Sequence, residues 1–284
     1  MDSKNKMIGE SSIKILSPAK INLFLHVLGR RSDGYHNLQT LFQLVETGDH
    51  MTFCSTDSGK INIINKNLAI SDEENLVFKA AKAIHQPGLG VNILLEKAIP
   101  SGAGLGGGSS NAATTLVILN YLWSLGIENH RLRKIGAEIG ADVPVFLGGR
   151  SALATGIGEQ LSAINIPRRW YVIIFPNCPV NTREIFSREE LTRNSAPITM
   201  SDFFEGRSRN DFQEVVSRLF KEVEEALKWL GKRGDSRLTG TGGSVFAGFD
   251  SKDEARDIAL AVPKNWWGIY TKGIDRSPLL KYLF

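Results

Sequence analysis

The sequence predicts an α+β fold in two halves, and three observations carry that expectation. Short runs of β-branched and aliphatic residues bounded by turn residues recur along the chain. Segments with apolar residues at helical spacing interleave with them. Between about residues 165 and 180 the composition shifts, and the charged, helical sequence that follows marks a boundary between the halves. A chain of 284 residues has ample length for a sizeable core.

Residues 13–28, IKILSPAKINLFLHVL, predict a bent strand or two strand pieces around Ser-Pro-Ala-Lys. GRRSDGYHNLQT (29–40) reads as a turn-rich loop, LFQLVETGDHMTFCST as one or two further strands, and INIIN (61–65) as a short strand. Leu76, Val77, Ala80, Ala81 and Ile84 share one helical face over 74–86, and Pro87-Gly88 stops that helix. VNILLEKAI (91–99) is a strand, and helices follow over 110–125 and 129–139. GADVPVFLGG (140–149) reads as a loop, because Pro144 disfavours helical backbone at Val143. SALATGIG, LSAINIP and WYVIIFPN read as strands, and charged helical sequence runs from PVNTREIF to about 231. SRLTGTGGSVFAGF (236–249) supplies a glycine turn and a strand; a helix over 252–262 and a strand over 266–271 end the predicted fold.

Bulk composition excludes several classes. Lys and Arg exceed Asp and Glu by 34 − 30 = 4, a weak argument for nucleic-acid binding but compatible with an anionic ligand. No segment approaches the roughly 20 apolar residues that span a bilayer. The opening MDSKNKMIGESS has neither the apolar core of a signal peptide nor the arginines of a transit peptide, so a frayed tail and a cytoplasmic protein are expected. Cys54 and Cys178 make neither a metal set nor a disulfide framework. His26, His50, His85 and His130 form no metal or catalytic set in the sequence.

PSGAGLGGGSSNAATTL (100–116) is the densest chemical signal. A glycine-rich loop running into a helix start offers bare amides and the positive end of a helix dipole to a phosphate. Gly102, Gly104, Gly106, Gly107 and Gly108 keep side chains out of the way, Ser109 and Ser110 can add hydroxyls, and Asn111 is a candidate helix cap. No Lys follows the glycines, so the P-loop pattern fails. Gly102, Gly104 and Gly107 match a dinucleotide fingerprint in letters, with Glu128 downstream, although Glu128 does not end a second strand. The strand and catalytic-loop motifs of protein kinases are missing.

PSGAGLGGGSSNAA resembles the signature of the GHMP small-molecule kinases position for position. SPAKINLFLHVLGRRSDGYHNLQTLFQ (17–43), GADVPVFLGG and RLTGTGGSVFA (237–247) resemble the branch that phosphorylates 4-diphosphocytidyl-2-C-methyl-D-erythritol, and the similarity runs over residues 14–271. The resemblance implies a two-lobed α+β fold, with a ribosomal-protein-S5-like ATP-binding lobe at 1–165 and a ferredoxin-like substrate lobe at 166–284. It implies ATP as donor, with Mg²⁺ brought by ATP and held by few protein ligands beyond Ser109 or Ser110. A small-molecule substrate, no nucleic acid, no membrane, and a monomer or weak homodimer are expected.

The resemblance also distributes roles. Asp142 takes the acceptor hydroxyl's proton, and Lys20 beside it offsets developing phosphate charge. Asn22, two residues along and on the same strand face, would bond the acceptor end of the substrate. Tyr35 and His36 would hold the cytosine with Phe186 as the opposing face, and Thr182 would bond the same substrate. The phosphates would lie along Pro100, Ser101, Gly102, Ala103, Gly104, Leu105, Gly106, Gly107, Gly108, Ser109 and Ser110. Asn75, Leu76 and Lys97 fall where the family places adenine, and Gly240, Thr241, Gly242 and Gly243 would close the site. Other GHMP acceptors (homoserine, mevalonate, a sugar), a non-catalytic ATP and sugar sensor, and a nicotinamide dehydrogenase are the alternatives.

Overall fold

The computed structural model describes residues 12–65, 71 and 73–283; apart from Ser12, the expected N-terminal tail lies outside them. Strands β1 (Ser12–Arg30) and β2 (His36–Thr56) form a long antiparallel hairpin. The bent strand is one strand with register shifts at Pro18/Lys20, Asn22/Leu25 and Val27/Gly29. Pro18 has no N–H for the ladder, and past it Lys20 pairs with Leu44 of β2 while its N–H turns to the other side and donates to Leu105 O at 3.0 Å. The loop expected over 29–40 shrinks to five residues, 31–35. Residues 36–40 read as loop but lie in β2, where Gln39 bonds the backbone of Ile198 and Thr40 donates to Phe24 O.

Beyond this hairpin, β4 (Gly90–Glu96) pairs antiparallel with β2, and β3 (Ile61–Asn65) lies parallel to β4 at the edge. Helices α1 (Leu76–Ala83), α2 (Gly107–Leu122), α3 (Asn129–Ile139) and α4 (Val143–Gly148) cover this sheet over a core that includes Phe53, Ile93, Leu116 and Phe146. Two expectations fail here. α2 starts three residues early, capped by Gly106, and Asn111 lies buried inside the helix with its side chain on Asp49. Residues 143–148 form a helix where a loop was expected, because Pro144 falls in the first turn, where an amide has no intrahelical partner to lose.

A hairpin of β5 (Ala152–Thr155) and β6 (Gln160–Ala163) joins β2 along its first half. The second lobe places β7 (Trp170–Phe175) between β10 (Trp267–Ile274) and β9 (Val245–Phe249), with β8 (Arg237–Leu238) at the edge. Around it lie α5 (Thr182–Ser187), α6 (Met200–Phe204), α7 (Gln213–Leu219), α8 (Lys221–Gly231) and α9 (Lys252–Leu260). Val172, Ile174, Phe212, Val223 and Leu238 belong to its core. A third cluster joins Ile21, Phe24 and Leu41 to Ile173, Phe175 and Phe246 and welds the lobes together.

The strand expected over 266–271 does not end the fold. β10 continues until Gly273 and Ile274 pair with Val45 and Leu44 of β2, linking the sheets of both lobes. A 3₁₀ turn (Pro278–Tyr282) then buries Leu279 in the first lobe's core.

Candidate active site

The connection from β4 to α2 carries the first glycine loop, and the connection from β8 to β9 carries the second. They nest backbone against backbone. Gly104 has φ +75°, and a Cβ there would sit 2.4 Å from the Gly242 carbonyl oxygen. One at Gly243 would sit 2.8 Å from Gly102 O. These glycines are therefore demanded by the fit between the two turns. Gly108 differs: a Cβ there would meet only Leu76 Cδ1, at 3.5 Å, so its missing side chain leaves space at the helix start. The first i to i−4 bond of α2 runs from Ser110 N to Gly106 O. The amides of Gly107, Gly108 and Ser109 thus begin the helix without intrahelical acceptors, which makes this end an anion site.

Lys20 and Asp142 meet beside that loop. Lys20 is only 4% exposed, and its Nζ lies 3.3 Å from Asp142 Oδ2. The same ammonium donates to Asn22 Oδ1 at 2.8 Å and Gly104 O at 3.2 Å, and lies 5.4 Å from the Phe42 ring centroid. A buried ammonium needs such partners, since desolvation alone costs several kcal/mol, order of magnitude. Asn22 is committed on both sides, accepting from Lys20 and donating to Thr40 Oγ1 at 2.9 Å. It orients Lys20 as well as facing the cavity. Asp142 occupies the N-cap position of α4 but caps nothing with its side chain, which keeps its carboxylate for the cavity.

At another part of the wall, Tyr35 is 61% exposed while His36 is buried. The His36 ring stacks at a tilt on Phe186, centroids 5.0 Å apart, and Phe186 stands edge-on to Phe212 at 4.8 Å. Arg193 Nε donates to His36 Nε2 at 3.2 Å. Burial first, then the nearby cations Arg193 and Arg30, holds the His36 pKa below its ordinary 6.5. The hydroxyls of Thr182 and Thr241, one from α5 and one from the second glycine turn, lie 2.7 Å apart.

One cavity of about 1030 Å³ gathers nearly all the residues singled out from the sequence. Lys20, Asn22, Tyr35, His36, Asn75, Leu76, Lys97, residues 100–109, Asp142, Thr182, Phe186, Gly240 and Thr241 line it. Three, Ser110, Gly242 and Gly243, are not on its wall. Ser110 is buried and its hydroxyl donates to Pro18 O at 2.6 Å, so it is taken up in bracing the helix against β1. Gly242 turns its carbonyl toward Gly104. Asn75 caps α1 by accepting from Val77 N at 3.0 Å, and Lys97 is ion-paired with the buried Asp49. Glu128, the acidic residue of the dinucleotide pattern, pairs with His130 on the surface and lies off the cavity.

Sequence reasoning missed Arg193 and Asp49. Asp49 accepts from Lys97, from Asn111 Nδ2 and from the amides of Ala98 and Ile99, tying β2 to the strand end below the glycine loop. An acidic residue in TGDH gave no motif to find it by. Among the described residues no three His, Cys, Asp or Glu side chains gather as a metal cage, and Ser109 is the hydroxyl of the helix start that reaches the cavity.

Comparison with known proteins places this geometry in context. Residues 75–150 match the GHMP kinases N terminal domain and residues 190–267 the GHMP kinases C terminal domain. A 4-diphosphocytidyl-2-C-methyl-D-erythritol kinase of Pseudomonas fluorescens is 47% identical over 270 residues, 94% of this chain and 95% of that protein. The Nitrosococcus oceani protein of the same name is 45% identical over 94% of this chain and 96% of its own length. A crystal structure of 4-(cytidine 5'-diphospho)-2C-methyl-D-erythritol kinase superposes with a TM-score of 0.78 at 32% identity, covering 92% of this chain and all of that one. A mevalonate kinase structure shares the fold, with a TM-score of 0.67 at 14% identity and 93% of this chain covered.

Proposed function

The chain belongs to the GHMP kinase family, and from that premise we propose that its cavity transfers the γ-phosphoryl group of ATP to the 2-hydroxyl of 4-diphosphocytidyl-2-C-methyl-D-erythritol. The observation that carries this reading is the Lys20–Asp142 pair, 3.3 Å apart beside the glycine loop, in one cavity with His36 and Phe186. That cavity has an anion end, a proton acceptor with a cation, and an aromatic end suited to a base.

The division of labour follows from the chemistry. Phosphates lie along the glycine loop, against the free amides of Gly107, Gly108 and Ser109. Asp142 orients the acceptor hydroxyl and takes its proton as the new O–P bond forms and the bond to the β-phosphate oxygen breaks, releasing ADP. Lys20, fixed by Asn22 and the Gly104 carbonyl, donates to the oxygens of the moving phosphoryl group. Mg²⁺ would arrive on ATP, with the Ser109 hydroxyl placed to hold it, and would supply neutralisation of phosphate charge. Tyr35, His36 and Phe186 hold the cytosine, and the Thr182–Thr241 pair, both from the second lobe, lies over the substrate's phosphates. The chain works in the cytoplasm, as a monomer or weak homodimer, without nucleic acid or membrane.

Asp142→Asn tests the assignment. Turnover is expected to fall by about 10²–10⁴, the usual worth of a general base, while ATP still binds in an equilibrium titration. A near-normal rate removes Asp142 as the base.

A further inference from the structure

Arg193 lies outside every motif, in the segment between α5 and α6, yet its guanidinium is spent on a single task. Nη2 donates to the carbonyls of Phe186 at 2.9 Å and Arg188 at 2.6 Å. Nη1 donates to those of Leu191 at 3.1 Å and Glu189 at 3.3 Å. Nε alone leaves this turn and points at His36 Nε2 at 3.2 Å. The planar fork thus locks the residues that follow Phe186 and extends the lock to the ring on which Phe186 stacks.

This contact decides the protonation of His36. Guanidinium has N–H donors and no acceptor, so the ring nitrogen facing it must carry a lone pair. A neutral imidazole accepting at Nε2 bears its proton on Nδ1. Among the described residues Nδ1 has no hydrogen-bond partner, and His36 is part of the cavity wall. We infer that Arg193 is a positioning residue for base recognition: it fixes His36 as the Nδ1–H tautomer, so that the ring offers the base a donor and selects an acceptor atom, a carbonyl oxygen or an unprotonated ring nitrogen. Acid opposes this arrangement, because a second proton on Nε2 would face Arg193. Burial and the two facing cations, Arg193 and Arg30 at the end of β1, hold the ring neutral below its ordinary range. The inference rests on the cytosine reading of this wall and adds to it the residue that sets the polarity of the contact.

The test uses the full chain. In the ¹⁵N-labelled wild-type protein, long-range ¹H–¹⁵N correlations of His36 are expected to show protonated Nδ1 and bare Nε2; the Nε2–H tautomer overturns the inference, and this reading needs no variant to fold. Arg193→Met is expected to raise KM for the cytidyl substrate about tenfold, the worth of a hydrogen bond to a charged group. Its kcat and its KM for ATP should stay within about twofold. The acid limb of its KM profile should move up toward the ordinary histidine range. An unchanged KM and tautomer in a folded Arg193→Met contradicts the assignment. Wild-type protein that shows the expected tautomer but does not phosphorylate the cytidyl substrate would refute the functional reading and leave the Arg193–His36 coupling standing.

Discussion

Lys20 shows how a side chain that is costly for folding can be held where the proposed phosphoryl transfer needs a cation. Its ammonium is almost wholly desolvated and is held by Asn22, Gly104 O and Asp142. Removing one partner of a fully buried ion pair costs about 3–5 kcal/mol, but Asp142 is 38% exposed and water can take the place of Lys20 beside it. Lys20→Met is therefore expected to remain folded, within about 2 kcal/mol of the parent in urea unfolding, while losing about 10²–10³ in kcat. Turnover within tenfold of the parent would contradict its placement at the moving phosphoryl group. The Lys20 and Asp142 positions were legible because each sits in a distinctive run, SPAKIN and GADVPV. Arg193 was not, because its role depends on a fork reaching four carbonyls and a ring brought together only by folding.

Two buried histidines also set the acid stability. His26 is held below its ordinary pKa chiefly by burial, and its Nε2 accepts from Arg209 N at 3.3 Å; His36 is lowered for the same first reason. A histidine whose folded pKa is depressed binds its proton more readily when unfolded. Stability is thus fully present above pH 6.5 and is lost as pH falls from there through the folded values. Thermal unfolding between pH 7.5 and 5 should show a falling Tm, partly flattened in His26→Asn. A Tm that rises toward acid would contradict the sign.

At the scale of elements, the two glycine turns separate fold from binding. Gly104 combines a left-handed φ of +75° with a 2.4 Å approach to Gly242 O, so Gly104→Ala should disrupt the nesting and lower stability, by at least the roughly 1–2 kcal/mol of the backbone conformation. Gly108→Ala has room and improves helix propensity. It should keep or raise Tm yet weaken ATP binding, because its methyl group enters the space at the helix start. Equal effects of the two variants on Tm would contradict this division. The sequence made the glycine cluster conspicuous but could not assign each glycine its task, since that depends on the second turn some 140 positions away. The same limit explains α4: a proline was read as a breaker, and only the position of the helix start turns it into a first-turn residue.

For the whole molecule, the two-lobed α+β plan was readable from strand and helix periodicity and from the family signature. The return of the chain was not. Gly273 and Ile274 pairing with β2, and Leu279 entering the first core, come from a short stretch without periodicity near the C-terminus. That return fixes the second lobe to the hairpin carrying Lys20, Asn22 and His36, so the anion end and the base end form one cavity. The proposed function requires of this cavity an acceptor long enough to place a hydroxyl at Asp142 while a base rests on Phe186. ADP release measured with 4-diphosphocytidyl-2-C-methyl-D-erythritol beside homoserine and mevalonate tests that demand most directly. The expected result is ADP with the first acceptor and background with the other two; no ADP with the first, or equal rates with all three, would contradict the account.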